Sequence, residues 1–235
     1  MAQTYGPKYP GIEDGLVFSF DPKNRKSWSG GTTIHNIIEG STVSGSGTNF
    51  DGSGSETNTA ISDEGYFQFD NTDDYIHLEN DSIFQFAGSF SIFCWMYFDT
   101  IKDTYMFDCG TNGALGNGYS FRLRSSGVLR FWPYNANGSM DTTDTLSTGQ
   151  WYNLGVTYNN TDKAQVIYIN GAASKSGTYS QTYVTSTTTN LQLGDSNLWD
   201  GDLDGRMGPY VFYNRVLSAS EVMTNYNRLK GRFGL

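Results

Sequence analysis

Residues Phe90–Phe98 read Phe-Ser-Ile-Phe-Cys-Trp-Met-Tyr-Phe, apolar on both sides of a pleat. Phe90, Ile92, Cys94, Met96 and Phe98 fall on one side, and Phe93, Trp95 and Tyr97 on the other. A strand with that pattern is buried on both faces, so the chain around it has to be layered. Other segments alternate with period two. In Tyr119–Arg124, Phe121 and Leu123 point inward while Arg122 and Arg124 point outward. Val128–Tyr134 and Tyr152–Tyr158 follow as antiparallel strands. Val166–Ile169 runs into Asn170-Gly171, the strongest short hairpin signal, because both residues accept positive φ. Gly15–Asp21, Tyr66–Asp70, Tyr75–Leu78, Leu191–Leu193 and Leu203–Tyr213 complete a set of about a dozen strands, enough for a two-sheet sandwich. Asp70–Tyr75 is a tight turn, since Asn and Asp bond their own main chain. Residues 40–60 are rich in Gly, Ser, Thr and Asn and read as a surface excursion.

The C-terminus changes period. Ser218 is a good helix N-cap, and Glu221 falls three places later, where it closes a capping box. Leu217 and Val222 sit where a hydrophobic staple would be, and Val222, Tyr226 and Leu229 recur at helical spacing. One short helix is therefore expected to lie on a sheet, and it is the only substantial helix expected.

Asp204-Gly205-Arg206-Met207, then Tyr213-Asn214-Arg215-Val216-Leu217-Ser218 and Glu221, resemble the closing motif of laminin G-like, concanavalin A-like domains. In those domains a strand leads to "YNRxLSxxE" and a short helix. Gly15–Asp21, Ser89–Trp95, Gln150–Leu154 and Tyr168–Gly171 agree in order. The resemblance covers residues 13–230 and implies an all-β, two-sheet antiparallel jelly-roll sandwich of concanavalin A-like type. The opening "GLVFSFDPKNRKSW" and the terminal "KGRFGL" are similar to versions found in structural proteins of tailed bacteriophages. Many relatives carry an acid where this chain has Gly208.

At 235 residues one domain is expected, 13–235, preceded by an extended arm over 1–12. The formal charge of −9, 24 acids against 15 bases, disfavours nucleic acid and anionic membrane, which are gripped by basic faces. No stretch is long and apolar enough to cross a bilayer as a helix. The N-terminus has neither a charged n-region nor an apolar h-region and is not read as a secretory signal. A lectin-like domain made in a cytosol without such a signal fits a virion component. Cys94 and Cys109 lie near the ends of two consecutive strands and read either as buried thiols or as a disulfide.

Three chemistries suit a domain of this kind. Glucanases of this fold place nucleophile and acid on one strand as Glu-x-Asp-x-x-Glu. The nearest attempt here, Glu79-Asn80-Asp81-Ser82-Ile83-Phe84, has Phe84 in place of the second Glu. His35 and His77 have no nucleophile signature nearby, so the chain is expected not to be an enzyme. The loop Asp195–Asp204 supplies four Asp and one Asn. It reads either as a capped polar turn or as a Ca²⁺ site using Asp195 and Asp202, with Asp200 in reserve. For glycan binding, Trp199 in that polar loop is the best aromatic face, with Asn197 beside it. Trp132, Tyr134 and Asn135 end a strand and are further candidates, although Trp132 also reads as core. Trp95 and Trp151 are read as interior, and Trp28 follows a basic, solvated turn.

Tyr5, Tyr9 and Ile12 give the arm anchors for docking on a neighbour. The expected partners are capsid or tail subunits, host-surface glycans and, in a homo-oligomer, further copies of the chain. The leading expectation is a structural protein of a phage virion, such as a capsid decoration or tail-appendage protein, built on a lectin-like domain. The alternatives are a stand-alone lectin module and, behind it, a glycoside hydrolase.

Overall fold

The computed structural model describes residues 11–48, 65–79, 82–110, 117–133, 138–180, 184–185, 188–196, 198 and 201–235. Among them, fifteen strands form two antiparallel sheets. The back sheet runs β1 (Leu16–Phe20), β15 (Asp204–Tyr213), β6 (Phe90–Phe98), β11 (Trp151–Tyr158), β12 (Ala164–Ile169), β13 (Ala172–Thr178). A further strand, β4 (Phe67–Asp70), pairs with the start of β15, on which β1 pairs further along. The front sheet runs β10 (Met140–Thr145), β9 (Val128–Pro133), β8 (Tyr119–Leu123), β7 (Thr104–Asp108), β14 (Leu191–Leu193), β5 (Tyr75–Leu78), β3 (Ser44–Thr48), β2 (Thr33–His35). This is the two-sheet sandwich that the alternation implied and the jelly roll that the resemblance implied.

The core between the sheets takes one side of every central strand. From β6 come Phe90, Ile92, Cys94, Met96 and Phe98, and from the front sheet Phe107, Phe121, Leu129, Phe131 and Leu193. The other side of β6 carries Phe93 and Trp95, which belong to a second apolar cluster under the C-terminal helix. That helix, α1 (Ala219–Leu229), starts as the capping box dictates. The Glu221 N–H donates to Ser218 Oγ, and the Ser218 N–H donates to the Glu221 carboxylate at 2.8 Å. Arg215 donates to both oxygens of that carboxylate, at 3.0 and 2.6 Å. Those bonds, with the Ser218 N–H, hold the Glu221 carboxyl down to about 2.

Val222 and Leu229 face the sheet, and Leu217 is buried beside Val222 as a staple requires. Trp95 is sandwiched there. Phe233 stacks on it with centroids 4.4 Å apart and Tyr226 with centroids 5.8 Å apart. Each such pair adds roughly 0.5–1.5 kcal/mol beyond its buried area. Trp95 and Trp151 are thus interior as expected, but beneath the helix rather than between the sheets.

Gly208 is explained by the same packing. It lies where the register of β15 against β6 shifts, and a Cβ there would sit 2.9 Å from Trp95 Cβ and 3.2 Å from Phe233 Cζ. An acidic side chain has no room at this position.

Two expectations change, at residues 44–48 and at Ile12, and the structure settles the places of Trp28 and the two cysteines. Residues 44–48 lie within the supposed excursion 40–60, yet they form β3, where Gly45 lets Leu78 and the His77 carbonyl come close. Trp28, after the basic turn, is buried. It packs edge-on against Phe67 and donates its indole N–H to the Gly31 carbonyl. Cys94 lies within β6 and Cys109 just after β7 of the opposite sheet, and both are buried free thiols, the first of the two readings. Ile12, from the arm, packs on the chain's own helix. Its N–H donates to Asn225 Oδ1 and its carbonyl accepts from the Tyr213 hydroxyl. Tyr5 and Tyr9 lie outside the described residues.

Gly208→Ala tests the helix-to-sheet contact. It should destabilise the fold by about 1–3 kcal/mol, read as a lower urea midpoint with an unchanged slope. An unchanged midpoint would mean that Trp95 and Phe233 yield without cost.

Candidate functional site

Two acid-rich segments far apart in sequence meet at one rim of the sandwich. The turn 70–75 carries the chain from β4 in the back sheet to β5 in the front sheet. The segment 194–203 returns it from β14 to β15. Strand pairing brings them together: Asp70 lies opposite Asp204, and the Asn71 N–H donates to the Leu203 carbonyl at 3.0 Å. The turn is built as its composition dictates. Asn71 takes a left-handed φ of 70°, the Thr72 N–H donates to Asp70 Oδ1, and the Asp70 N–H donates to Asp74 Oδ2, both at 3.0 Å. An open groove of ≈ 430 Å³ lies between the segments, lined by Thr72, Asp73, Tyr75, Asp195, Ser196, Leu198 and Asp202.

The rim is electrostatically loaded. Ligand oxygens of Asp70, Asp73 and Asp74 lie within 4.8 Å of one another. Burial pushes the Asp74 carboxyl up to about 7, with the charges of Asp70, Asp73 and Asp202 adding to it and the bond from the Asp70 N–H opposing it. Lys102 Nζ donates to Asn71 Oδ1, Thr100 Oγ1 to Asp204 Oδ2 at 2.7 Å, and Gln192 Nε2 to Asp195 Oδ2 at 2.9 Å. Clustered carboxylates of this kind suit a hard cation such as Ca²⁺, which takes oxygen ligands from loops. The close set is Asp70, Asp73 and Asp74. Of the loop acids singled out from sequence, Asp195 and Asp202 line the adjoining groove, and Asp200 lies outside the described residues. Sequence reasoning took Asp70–Asp74 as a turn only. Three acids in five residues were the available signal.

Beside the groove, the outer face of the front sheet is polar. Alternation turns Phe121, Leu129 and Phe131 inward and leaves Ser120, Arg122, Arg130 and Trp132 outward. Register forms two cross-strand rows. One reads Asp141, Arg130, Arg122, Tyr105, and the other Trp132, Ser120, Asp108, Gln192, His77. The segment after β14 lies over part of them. Ser196 Oγ donates to Asp108 Oδ2, and the Tyr105 N–H donates to the Gly201 carbonyl at 3.1 Å. Gly201 comes so close that a Cβ would sit 2.4 Å from Tyr105 Cδ2.

Trp132 is therefore half-buried on this outer face rather than in the core, which corrects the core reading. Trp199, Asn197, Tyr134 and Asn135 lie outside the described residues. His77 is half-buried on the same face, and His35 is exposed on β2. The Asp108 carboxylate is buried under Ser196, and Arg130 holds the Asp141 carboxyl below the usual range. Asp74, with its raised pKa, is buried and does not line the groove. A glycosidase needs an acid presented to the leaving group and a second carboxylate facing it, and none of these three is so placed. Among the described residues no helix is long and apolar enough to cross a membrane.

A laminin G family model, described as concanavalin A-like lectin/glucanases superfamily, matches residues 70–223. No curated protein matches the chain. Among solved structures, Trypanosoma rangeli sialidase in complex with sialic acid superposes with a TM-score of 0.67 at 16% identity, over 93% of this chain and 33% of the sialidase. The binding domain of Paraclostridial Mosquitocidal Protein 1 superposes at 0.63 and 17%, over 91% of this chain and 52% of the other. Domain 4 of AbnA, an extracellular arabinanase from Geobacillus stearothermophilus in complex with arabinotriose, superposes at 0.59 and 20%, over 92% of this chain and all of that domain. The chain thus spans about a third of the sialidase's length. At such identities these likenesses establish the fold.

Asp74→Asn tests the rim charge. A carboxyl whose pKa is raised by folding, here from 3.8 to about 7, favours the folded state below its unfolded pKa and loses that contribution as pH rises through 7. Asn keeps the acceptor for the Asp70 N–H without the charge. In chelator, the variant's margin over the native protein should widen by about 1 kcal/mol or more between pH 5 and pH 8 in urea unfolding. An equal margin at both pH values would show that Asp74 carries no buried charge.

Proposed function

This chain belongs to the concanavalin A-like lectin/glucanase superfamily, and from that premise we propose that it is a non-enzymatic glycan-recognition domain. One observation carries the reading: two acid-rich turns, separate in sequence, line a single open groove with Tyr75 in its wall. Carboxylates and hydroxyls at Asp73, Asp195, Asp202, Thr72 and Ser196 suit the hydroxyls of a sugar, and the tyrosine ring suits its apolar face. The carboxylates of Asp70, Asp73 and Asp74 fit a Ca²⁺ ion, which would neutralise the opposed Asp70 and Asp204 and stiffen the turn that lines the groove. The non-enzymatic reading rests on the missing Glu-x-Asp-x-x-Glu motif and on the placement of Asp74, Asp108 and Asp141.

The finer part of the proposal is biological setting. The likeness of "GLVFSFDPKNRKSW" and "KGRFGL" to tailed-phage structural proteins supports a place in a virion, as a capsid decoration or tail-appendage protein that contacts capsid or tail subunits and adheres to host-surface glycans. A stand-alone lectin with the same groove is the alternative.

Two measurements test these readings. On a glycan array, Asp195→Ala combined with Asp202→Ala should cut the strongest signal about tenfold or more while leaving the melting temperature near native. A flat array for the native protein would remove glycan recognition, and reducing-sugar release from any bound glycan would remove the non-enzymatic reading. For the setting, the chain should band with assembled phage particles in a density gradient. Recovery in the soluble fraction alone would leave the lectin and remove the virion.

A further inference from the structure

The outer face of the back sheet carries a charge arrangement that the rim groove does not use. Register sets Gln68, Arg206, Tyr97 and Trp151 in one cross-strand row over β4, β15, β6 and β11. The C-terminal cover reaches the end of that row, where Phe233 packs on the buried Trp151 with centroids 4.5 Å apart. Gln68, Arg206 and Tyr97 stay half-buried, as does Tyr66 beside them. The Arg206 guanidinium lies over two rings, 4.2 Å from the Tyr97 centroid and 5.1 Å from that of Tyr66. Tyr66 and Tyr97 in turn pack on Trp151, with centroids 5.6 and 5.7 Å from it. The rings hold the guanidinium in place without neutralising it.

An opposite charge stands beside this stack, and the fold keeps the two apart. Arg206 Nε donates to Gln68 Oε1 at 3.1 Å, and Gln68 Nε2 donates to Asp99 Oδ2 at 3.2 Å. The same Nε2 donates to the Gly205 carbonyl at 3.1 Å, which anchors the carboxamide between them. Among the described residues neither Arg206 nor the exposed Asp99 forms an ion pair, and the Arg206 Nη groups donate to no protein acceptor. A cation and an anion flanking one fixed neutral group are complementary to themselves after a half-turn. Arg206 then meets Asp99 of a second copy, and Asp99 meets Arg206 of that copy. Two-fold pairing, the commonest form of homo-oligomer, demands this self-complementarity. Arginine, tyrosine and tryptophan are also the residues that carry most binding energy at interfaces. A purely acidic or purely basic partner would match only one of the two charges.

We propose that this patch is a two-fold interface between copies of the chain, centred on Gln68, in which each Arg206 pairs with Asp99 of the other copy and the rings of Tyr66 and Tyr97 are buried around the pairs. None of these residues lines the rim groove, so the dimer carries two grooves. Any gain in avidity from the second groove rests on the glycan reading above, whereas the dimer does not.

Sedimentation velocity over a concentration series tests this with no glycan present. The native chain should dimerise reversibly, and less tightly as salt rises. Asp99→Arg and Arg206→Asp should each weaken dimerisation about tenfold or more, because each sets like charges across the axis. An equimolar mixture of the two variants should dimerise again, since every pair across the axis is then a cation with an anion. A loss of folding cannot be rescued in that way. A native chain that stays monomeric up to about 1 mM would overturn the interface. So would native affinity in either variant, or a mixture that associates no more tightly than the variants do alone. Should Arg206→Asp fail to fold by circular dichroism, the exposed Asp99→Arg decides, and its dimerising with native affinity would overturn the proposal.

Discussion

Strand β6 is apolar on both faces, and water has to be kept from each. One face is met by the front sheet, which closes the main core around Phe90, Ile92, Cys94, Met96 and Phe98. The other face is met by a single helix, whose Tyr226, with Phe233 just beyond its end, clasps Trp95. Most of the remaining architecture follows from that double demand. The capping box fixes where the helix begins, the Leu217–Val222 staple sets its entry, and Gly208 removes the one side chain that would hold it off the sheet. The Arg215–Glu221 pair locks the same junction from the solvent side.

The C-terminal helix lies on the back sheet, and among the described residues no helix covers the outer face of the front sheet. That face is polar where the back sheet's is aromatic. It is partly roofed by the segment that follows β14, held by Ser196 on Asp108 and by Gly201 against Tyr105. The roofing divides the surface into an acidic rim groove and a tract of arginines with Trp132. The rim gathers its charge because the crossings between the sheets at residues 70–75 and 194–203 fall at the same end, where β4 and β15 pair. A cluster of carboxylates there is tolerated by protonating Asp74 or by a cation, and both routes relieve the same repulsion.

Much of this was readable from residue order. Alternation in Tyr119–Leu123 and Val128–Pro133 assigns the inward and outward sides, Asn170-Gly171 marks its hairpin with φ values of 51° and 79°, and Ser218 with Glu221 announces the helix. Reading failed where burial depends on what arrives from elsewhere. Trp132 has a core-like composition yet faces outward because it is one residue out of phase with Phe131 and Pro133. The glycine-rich residues 44–48 have only Thr48 as a strand-favouring side chain, and they form a strand because the edge of β5 offers them bonding partners and Leu78 fills the space. Asp70, Asp73 and Asp74 come within ligating distance inside one turn, but that Asp195 and Asp202 line the adjoining groove depended on a loop more than a hundred residues away.

The sequence by itself determined the periods: which segments pleat, which one coils, where the helix starts and which faces are apolar. These are local properties, set by spacing along the chain and by the chemistry of caps and turns. Only the tertiary structure decided that Arg122 stands against Arg130, that Asp70 stands against Asp204, and that the acid-rich turns share a groove. Cross-strand register and loop convergence depend on how two sheets stack, and no short-range pattern encodes which distant residue will lie opposite.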